Sequence, residues 1–201
     1  LVADDASSHE TSAVIAAVDD RRVRALRLPS NAGPAAARNA ALACAAGRWI
    51  AVLDADDTLL PDRLHRLVTA AEQADFDIIA DNMWQQAPDT AMRTLMLPES
   101  LDGRLTPLGL AEYLRGNRLF ARGGGYGYLK PLFRRDFLQR HALRYDETLR
   151  VGEDFLLVLE SQAHGARYAR HASAGYVYSS RPGSISHRLS PANAQAMIDA
   201  D

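Results

Sequence analysis

Residues 31–64 of the chain, NAGPAAARNAALACAAGRWIAVLDADDTLLPDRL, predict a helix, a strand and a second helix in immediate succession. Small helix formers lie between Pro34, which suits a first helical turn, and Gly47, which suits a helix end. The apolar run 49–53 predicts a strand, and Pro61 marks the start of the second helix. Three of the four residues after that strand are aspartates, so the local fold places crowded acids at a strand end.

The same alternation of strand and helix extends over the first 80 residues. Residues 23–28 and 77–80 have the apolar pattern of further strands. Strands that alternate with helices predict a parallel, three-layer α/β sheet. After residue 82 the pattern loosens into shorter elements, without repeats or a linker, and we therefore expect a single domain.

The composition excludes several classes of partner. The chain has 201 residues, is 47% hydrophobic and carries a formal net charge of −2, so no overall positive field favours nucleic acid. No apolar stretch is long enough for a bilayer crossing, and no signal-peptide pattern opens the chain. A single cysteine, Cys44, excludes an intrachain disulfide and suits a reducing compartment. We expect a cytoplasmic protein without nucleic-acid partners.

The acid cluster consists of Asp54, Asp56 and Asp57. Acids after a strand often form turns or cap the next helix, and Asp57 or Thr58 could cap the helix at Pro61. One cap does not need three acids. A hard divalent cation accepts carboxylate oxygens and completes its shell with phosphates and water, which would make the crowding tolerable.

The segment VLDADDTLL (52–60) also resembles the D-x-D-x-T pattern of haloacid-dehalogenase-type phosphatases. In that resemblance Asp54 would be the nucleophile and Asp56 an acid/base. Those enzymes open their domain with this strand, whereas here it follows at least two α/β units. They also need a later lysine and a second acidic pair, and Lys130 is the only lysine of this chain.

A second resemblance covers most of the chain and depends on five segments in order. They are VADDASS (2–8), the opening stretch 31–64, YLKPLFRRDFL (128–138), LRYDETLRVGEDFLLVLE (143–160) and YVYSSRPGSIS (176–186). Together they resemble the family 2 glycosyltransferases with the GT-A fold, and they are most similar to bacterial enzymes that build exopolysaccharide or other surface glycans.

The resemblance implies a fold and a division of the chain. The fold would be a three-layer α/β/α sandwich with a mostly parallel central sheet. We expect one GT-A domain over residues 1–201, with a nucleotide-binding part at 1–81 and an acceptor part with a C-terminal cover segment at 82–201. The family's first strand and turn have no counterpart before Leu1, so we expect the N-terminal strand to be missing.

The resemblance also implies a set of donor-site residues. In the family, the acidic pair after the early strand contacts the nucleotide base and ribose. A carboxylate that accepts from an imide or hydroxyl makes a charge-assisted hydrogen bond. The implied nucleotide-sugar ligands are Asp4, Asp5, Arg38 at the diphosphate, Asp54 at the sugar or ribose, and His187, with Arg181 and Arg188, at the phosphates. The implied ligands of Mn²⁺ or Mg²⁺ are Asp56, as first choice, and Asp57.

On the acceptor side, the resemblance makes Asp154 the general base and Glu153 its neighbour or an acceptor contact. One displacement with one base inverts the anomeric configuration. The implied reaction moves a sugar from a nucleotide-diphosphate donor, a UDP-sugar, to a glycan or lipid-linked acceptor. We expect a cytoplasmic enzyme with peripheral association at the inner membrane face. Two alternatives stay open: the phosphohydrolase, and a truncated domain that binds nucleotide without turnover.

Overall fold

The structure is a computed structural model that describes residues 1–88, 91–98, 100–117, 125–180 and 190–200. The strands are β1 (Val2–Asp4), β2 (Ala25–Arg27), β3 (Trp49–Ala51), β4 (Thr58–Leu59), β5 (Ile78–Gln86), β6 (Arg93–Leu95), β7 (Leu105–Pro107), β8 (Leu132–Arg134) and β9 (Tyr168–Ser179). The helices are α1 (His9–Ala16), α2 (Pro34–Cys44), α3 (Arg63–Gln73), α4 (Leu110–Gly116), α5 (Arg135–Arg140), α6 (Glu153–Ala163) and α7 (Pro191–Asp199), with a 3₁₀ turn at Tyr126–Tyr128.

The main sheet has the strand order β3-β8-β5-β9-β4, with β6 paired to β5 and β7 paired to β9. A separate two-stranded sheet joins β1 and β2 in parallel. The predicted α/β class is confirmed, but the sheet is mixed and not mostly parallel. Of the strand pairings between described residues, β1–β2 and β5–β9 are parallel and the other five are antiparallel.

The mixed sheet has a local cause in the second half of the chain. Parallel neighbours need a crossover connection, usually a helix. Strands β6, β7 and β8 each follow a loop or a short turn, so they enter the sheet in the opposite direction to β5. Strand β5 also continues across the predicted boundary at residue 81. The division into two parts at that boundary stays a prediction.

Several predicted elements are confirmed, and the helix cap is wrong. Helix α2 begins with Pro34 in its first turn, as expected. The proposed capping of the next helix by Asp57 or Thr58 does not occur, because Thr58 belongs to β4 and α3 starts after Asp62, which has a left-handed backbone with φ 65°. The second half of the chain, where only shorter elements were expected, also forms one long strand, β9.

Both faces of strand β5 pack against apolar residues of the core. Ile78 and Ala80 belong to the larger apolar cluster, and Ile79 belongs to a second cluster on the opposite face with Leu67 of α3. This division follows the two-residue period of a strand. Among the described residues, no helix has the length and apolarity needed to span a bilayer.

The turn after β1 contains a strained residue that provides a test of the fold. Ala6 has φ 55°, a left-handed conformation that disfavours residues with a β-carbon. We predict that Ala6→Gly raises the free energy of unfolding by about 1 kcal/mol, measured by urea denaturation. The matched control is Ala13→Gly at an exposed position inside α1, which should lower it by about 1 kcal/mol. Equal losses in both variants would contradict the strain at Ala6.

Candidate active site

Arg38 is the centre of the candidate site and lies on α2. The preceding residues Ala35, Ala36 and Ala37 are buried, since small side chains let the helix pack closely. The Arg38 side chain is 15% exposed, and its Nη2 donates to Asp54 Oδ1 at 2.7 Å. Arg38 therefore faces the acid cluster after β3, and its contact with a nucleotide diphosphate stays a prediction.

Arg38 also reaches the acids that open α6. Its Nη1 lies 2.5 Å from Glu153 Oε1 and 3.3 Å from Asp154 Oδ1. These two acids start a helix because Gly152 adopts φ 90° at the N-cap, a conformation that glycine accepts without strain. The predicted base, its neighbour and Asp54 thus share one guanidinium group.

Lys130 supplies the second cation of the cluster. Its Nζ lies 2.6 Å from Asp154 Oδ2 and 3.0 Å from Asp54 Oδ2, and its side chain is 11% exposed. Sequence reasoning noted this lysine but gave it no role in the glycosyltransferase. The sequence did contain a signal for a special role of this residue. The chain has 22 arginines and a single lysine, and that lysine lies in a loop before β8. Two cations and three carboxylates now form one ion-pair network.

Asn39, the neighbour of Arg38, holds the loop before α6 in place. Its side-chain amide donates to Tyr145 O at 2.8 Å and accepts from Tyr145 N at 2.9 Å. The Tyr145 ring is buried, with the Arg38 guanidinium carbon 5.4 Å from its centroid. Arg38 therefore faces the acids, and its neighbour Asn39 holds the loop that leads to the acids of α6.

Asp57 faces away from this network, into the protein. Its carboxylate accepts from Tyr176 Oη at 2.6 Å and from Ser179 N at 2.8 Å, and it is 7% exposed. Tyr176 Oη also accepts from Asp54 N at 3.2 Å. Tyr176, which sequence reasoning missed, thus ties the acidic loop to β9.

The pKa values follow from burial and charge. Burial alone would raise the pKa of Asp54, but Lys130 and Arg38 outweigh it and hold that pKa below its ordinary value. Burial raises the pKa of Glu153, and the neighbouring charge of Asp154 adds to the effect. Burial likewise raises the pKa of Asp57, with a further rise from the charges of Asp54 and Asp56.

The acids were expected to need a metal, but the structure compensates most of them with its own groups. Asp54 is paired with two cations, and Asp57 has hydrogen-bond donors at both oxygens. Within the described part of the chain, no group of three or more His, Cys, Asp or Glu side chains is placed to hold a metal ion. A half-buried carboxylate at Asp56 still fits the one or two protein ligands that Mg²⁺ takes beside substrate phosphates.

Asp4 and Asp5 both make contacts within the protein. Asp4 accepts from Ser7 N at 2.8 Å and pairs with Arg27 at 2.5 Å. Asp5 accepts from the backbone N–H groups of residues 32 and 33 at 2.7 and 2.8 Å, which joins the first loop to the start of α2. Contacts of Asp4 and Asp5 with a base or ribose stay predictions.

His187, Arg181 and Arg188 fall outside the described residues. Tyr126 and Tyr128 lie in the 3₁₀ turn before Lys130, and Tyr128 is 56% exposed. The structure brings together Arg38, Asp54, Glu153 and Asp154 from the predicted set.

This α/β fold is the GT-A fold of glycosyltransferases. Within that class, the chain belongs to Glycosyl transferase family 2, which it matches over residues 1–139. A structure of S. aureus TarS 1-349 in complex with UDP-GlcNAc has a TM-score of 0.74, covering 98% of this chain and 54% of that chain. At 20% identity, this likeness shows the fold alone.

Two curated relatives come from Rhizobium meliloti (strain 1021). The succinoglycan biosynthesis protein ExoO is 46% identical over 202 residues, covering 100% of this chain and 58% of the relative. The succinoglycan biosynthesis protein ExoU is 39% identical over 212 residues, covering 100% of this chain and 59% of the relative. The chain thus spans less than two thirds of the curated relatives it matches.

The phosphohydrolase alternative finds no support in these comparisons. The side chains around Asp54 do not distinguish a phosphohydrolase from a glycosyltransferase. Lys130 and the acidic pair Glu153 and Asp154 belong to the same ion-pair network, and a phosphohydrolase also requires a lysine and an acidic pair. The family decides, because the chain belongs to Glycosyl transferase family 2.

The ion pairs of Lys130 yield a direct test. Burial would lower its pKa, but Asp154 and Asp54 outweigh this and raise the pKa to about 12, from an ordinary value of 10.5. Because the folded-state pKa is raised, the stabilisation of about 2 kcal/mol is fully present below pH 10.5 and is lost as the pH rises through about 12.

We predict that ¹³C-lysine NMR, which yields one lysine signal from this chain, shows no titration step at pH 10.5. The urea-unfolded chain is the control, and its lysine should titrate near 10.5. A folded-state step at the same pH as the unfolded chain would contradict the ion-pair network.

Proposed function

We propose that this domain is the catalytic domain of an inverting glycosyltransferase that moves a sugar from a UDP-sugar to a glycan or lipid-linked acceptor. The observation that carries the proposal is the convergence of Asp54 and Asp154 on Lys130 and Arg38, within a GT-A fold. The acids after β3 belong to the donor side in this proposal, and the acids that open α6 belong to the acceptor side.

The proposed reaction is a single displacement. Asp154 takes the proton from the acceptor hydroxyl, the acceptor oxygen bonds to the anomeric carbon, and the bond from that carbon to the diphosphate breaks. The leaving UDP keeps the electron pair of that bond. Negative charge therefore disappears at Asp154 and grows on the diphosphate. Arg38 and Lys130 also contact Asp54, which the proposal assigns to the donor side where this charge grows, and cations placed where charge develops lower the barrier.

Glu153 has a supporting role in this proposal. Its contact with Arg38 orients the guanidinium, and its raised pKa reflects a carboxyl group that is buried beside another acid. The proposed nucleotide-sugar ligands remain Asp4, Asp5, Arg38, Asp54 and His187. For Asp5 the support is its position at the start of α2, on the helix that also carries Arg38.

The proposed metal ligand is Asp56, with Asp57 at its side. A bound Mn²⁺ or Mg²⁺ would supply charge stabilisation for the leaving diphosphate. Asp57, whose oxygens accept from Tyr176 and Ser179, would hold the loop so that Asp56 presents its carboxylate.

The donor and acceptor classes come from the relatives. The TarS structure contains UDP-GlcNAc, which supports a UDP-sugar donor. The ExoO and ExoU proteins are named for succinoglycan biosynthesis, which supports a polysaccharide product and a glycan or lipid-linked acceptor. We place this reaction in the cytoplasm, with peripheral association at the inner membrane face as part of the proposal.

We predict that Asp154→Asn lowers sugar transfer about 10²- to 10⁴-fold, because an amide cannot take the acceptor proton. UDP affinity, measured by calorimetry, should stay close to that of the parent. The control is Asp136→Asn, since Asp136 has an exposed side chain on α5 and no contact with the cluster. Normal transfer by Asp154→Asn would exclude this residue as the base, and UDP binding with no transfer by any form of the protein would favour a binding-only domain.

Asp56→Ala tests the donor side separately. We expect it to abolish the manganese-dependent part of UDP binding, because it removes the proposed carboxylate ligand. Calorimetric titration of UDP with and without Mn²⁺ measures that part directly. Unchanged manganese dependence in Asp56→Ala would show that another group holds the metal. Asp136→Asn serves again as the exposed control.

A further inference from the structure

A buried ion pair lies behind the site without touching the acid cluster. Arg63, the first residue of α3, is 1% exposed, and its Nε donates to Asp81 Oδ1 of β5 at 2.9 Å. The Asp81 side chain is 0% exposed. Removing two charges from water is costly, and apolar replacements of such pairs are often as stable as the pair itself. Stability alone is therefore a weak explanation for this pair.

The pair contacts two residues that hold the site. Arg63 Nη2 donates to Lys130 O at 2.6 Å, which fixes the backbone from which the Lys130 side chain reaches Asp54 and Asp154. The Arg63 guanidinium carbon lies 5.3 Å from the centroid of the Tyr176 ring. Tyr176 in turn binds the acidic loop after β3 through its hydroxyl group.

The backbone of β9 is shaped to admit this arginine. A β-carbon at Gly175 would lie 2.7 Å from Arg63 Cγ and 2.9 Å from Asp81 Oδ2, closer than side-chain atoms pack. Glycine is required here for the close approach of the arginine and not for a turn. Three elements, α3, β5 and β9, thus enclose one guanidinium group.

We infer that Arg63 is a positioning residue of the transfer site. Held by Asp81, it sets the backbone at Lys130 and the ring of Tyr176. Through these two contacts it places the ammonium group between Asp54 and Asp154, and it places the loop that carries Asp56. The inference rests on the proposed function for its effect on catalysis, while its effect on Lys130 is independent of any reaction.

The single lysine of the chain makes this inference measurable. The first variant is the double replacement Arg63→Met with Asp81→Leu, which removes both charges together. In protein labelled with ¹³C-lysine, we expect the one lysine signal to shift from its parent position toward that of the unfolded chain. We also expect kcat to fall about 10²-fold, the effect of misplacing catalytic groups by about 1 Å.

The control is Phe76→Ala, which weakens the second apolar cluster just before β5. It should lower the thermal unfolding midpoint and leave the lysine signal and kcat at parent values while the protein is folded. A lysine signal that stays at the parent position in the double variant would overturn the inference. So would an equal shift in Phe76→Ala, since loss of stability would then explain both.

Two gentler variants keep the test available if the double variant does not fold. Gly175→Ala retains both charges but places a β-carbon against Arg63, and Arg63→Gln keeps an amide donor for Asp81 but is too short to reach Lys130 O and adds no second lysine. Both should shift the lysine signal and lower kcat, and unchanged signals in both would overturn the inference. If the parent protein transfers no sugar, the proposed function fails, while the lysine signal still decides the role of Arg63.

Discussion

The structure depends on one electrostatic balance, in which Arg38 and Lys130 compensate three carboxylates that come from distant parts of the chain. Asp54 follows β3, and Glu153 with Asp154 opens α6. Removing Arg38 would take from Glu153, whose side chain is 10% exposed, its ion-pair partner, and removing Lys130 would leave Asp54 and Asp154 with Arg38 alone. Either loss is more costly than breaking a surface pair, because these acids are largely buried. These ion pairs bring the acid that follows β3 into contact with the acids that open α6.

Much of the site was predictable from the sequence, because its parts lie in local patterns. A run of small residues with an early proline predicted α2 and put Arg38 on it, and an apolar run followed by acids located Asp54. Lys130 and Tyr176 were not assigned a role, because each meets the acids only through the packing of β8 and β9. A single side chain in a loop or a long strand carries no periodic signal for such a contact.

The direction of the strands was the part of the fold that sequence patterns predicted least well. Apolar alternation shows where a strand lies but not which neighbour it pairs with. The sequential strand–helix pattern suggested parallel pairing, and the loops before β6 and β8 reversed it. The antiparallel entry of β8 next to β5 brings residue 130 to the level of the buried pair, so this reversal is part of the reason for the site.

Helix α2 is anchored at its start, to the first loop through Asp5, and at its middle, to the loop before α6 through Asn39. The helix therefore connects the loop after β1 to the loop that leads into α6. A change at either anchor would therefore move Arg38 relative to Asp54 and Glu153, because one helix carries the guanidinium group and both anchors.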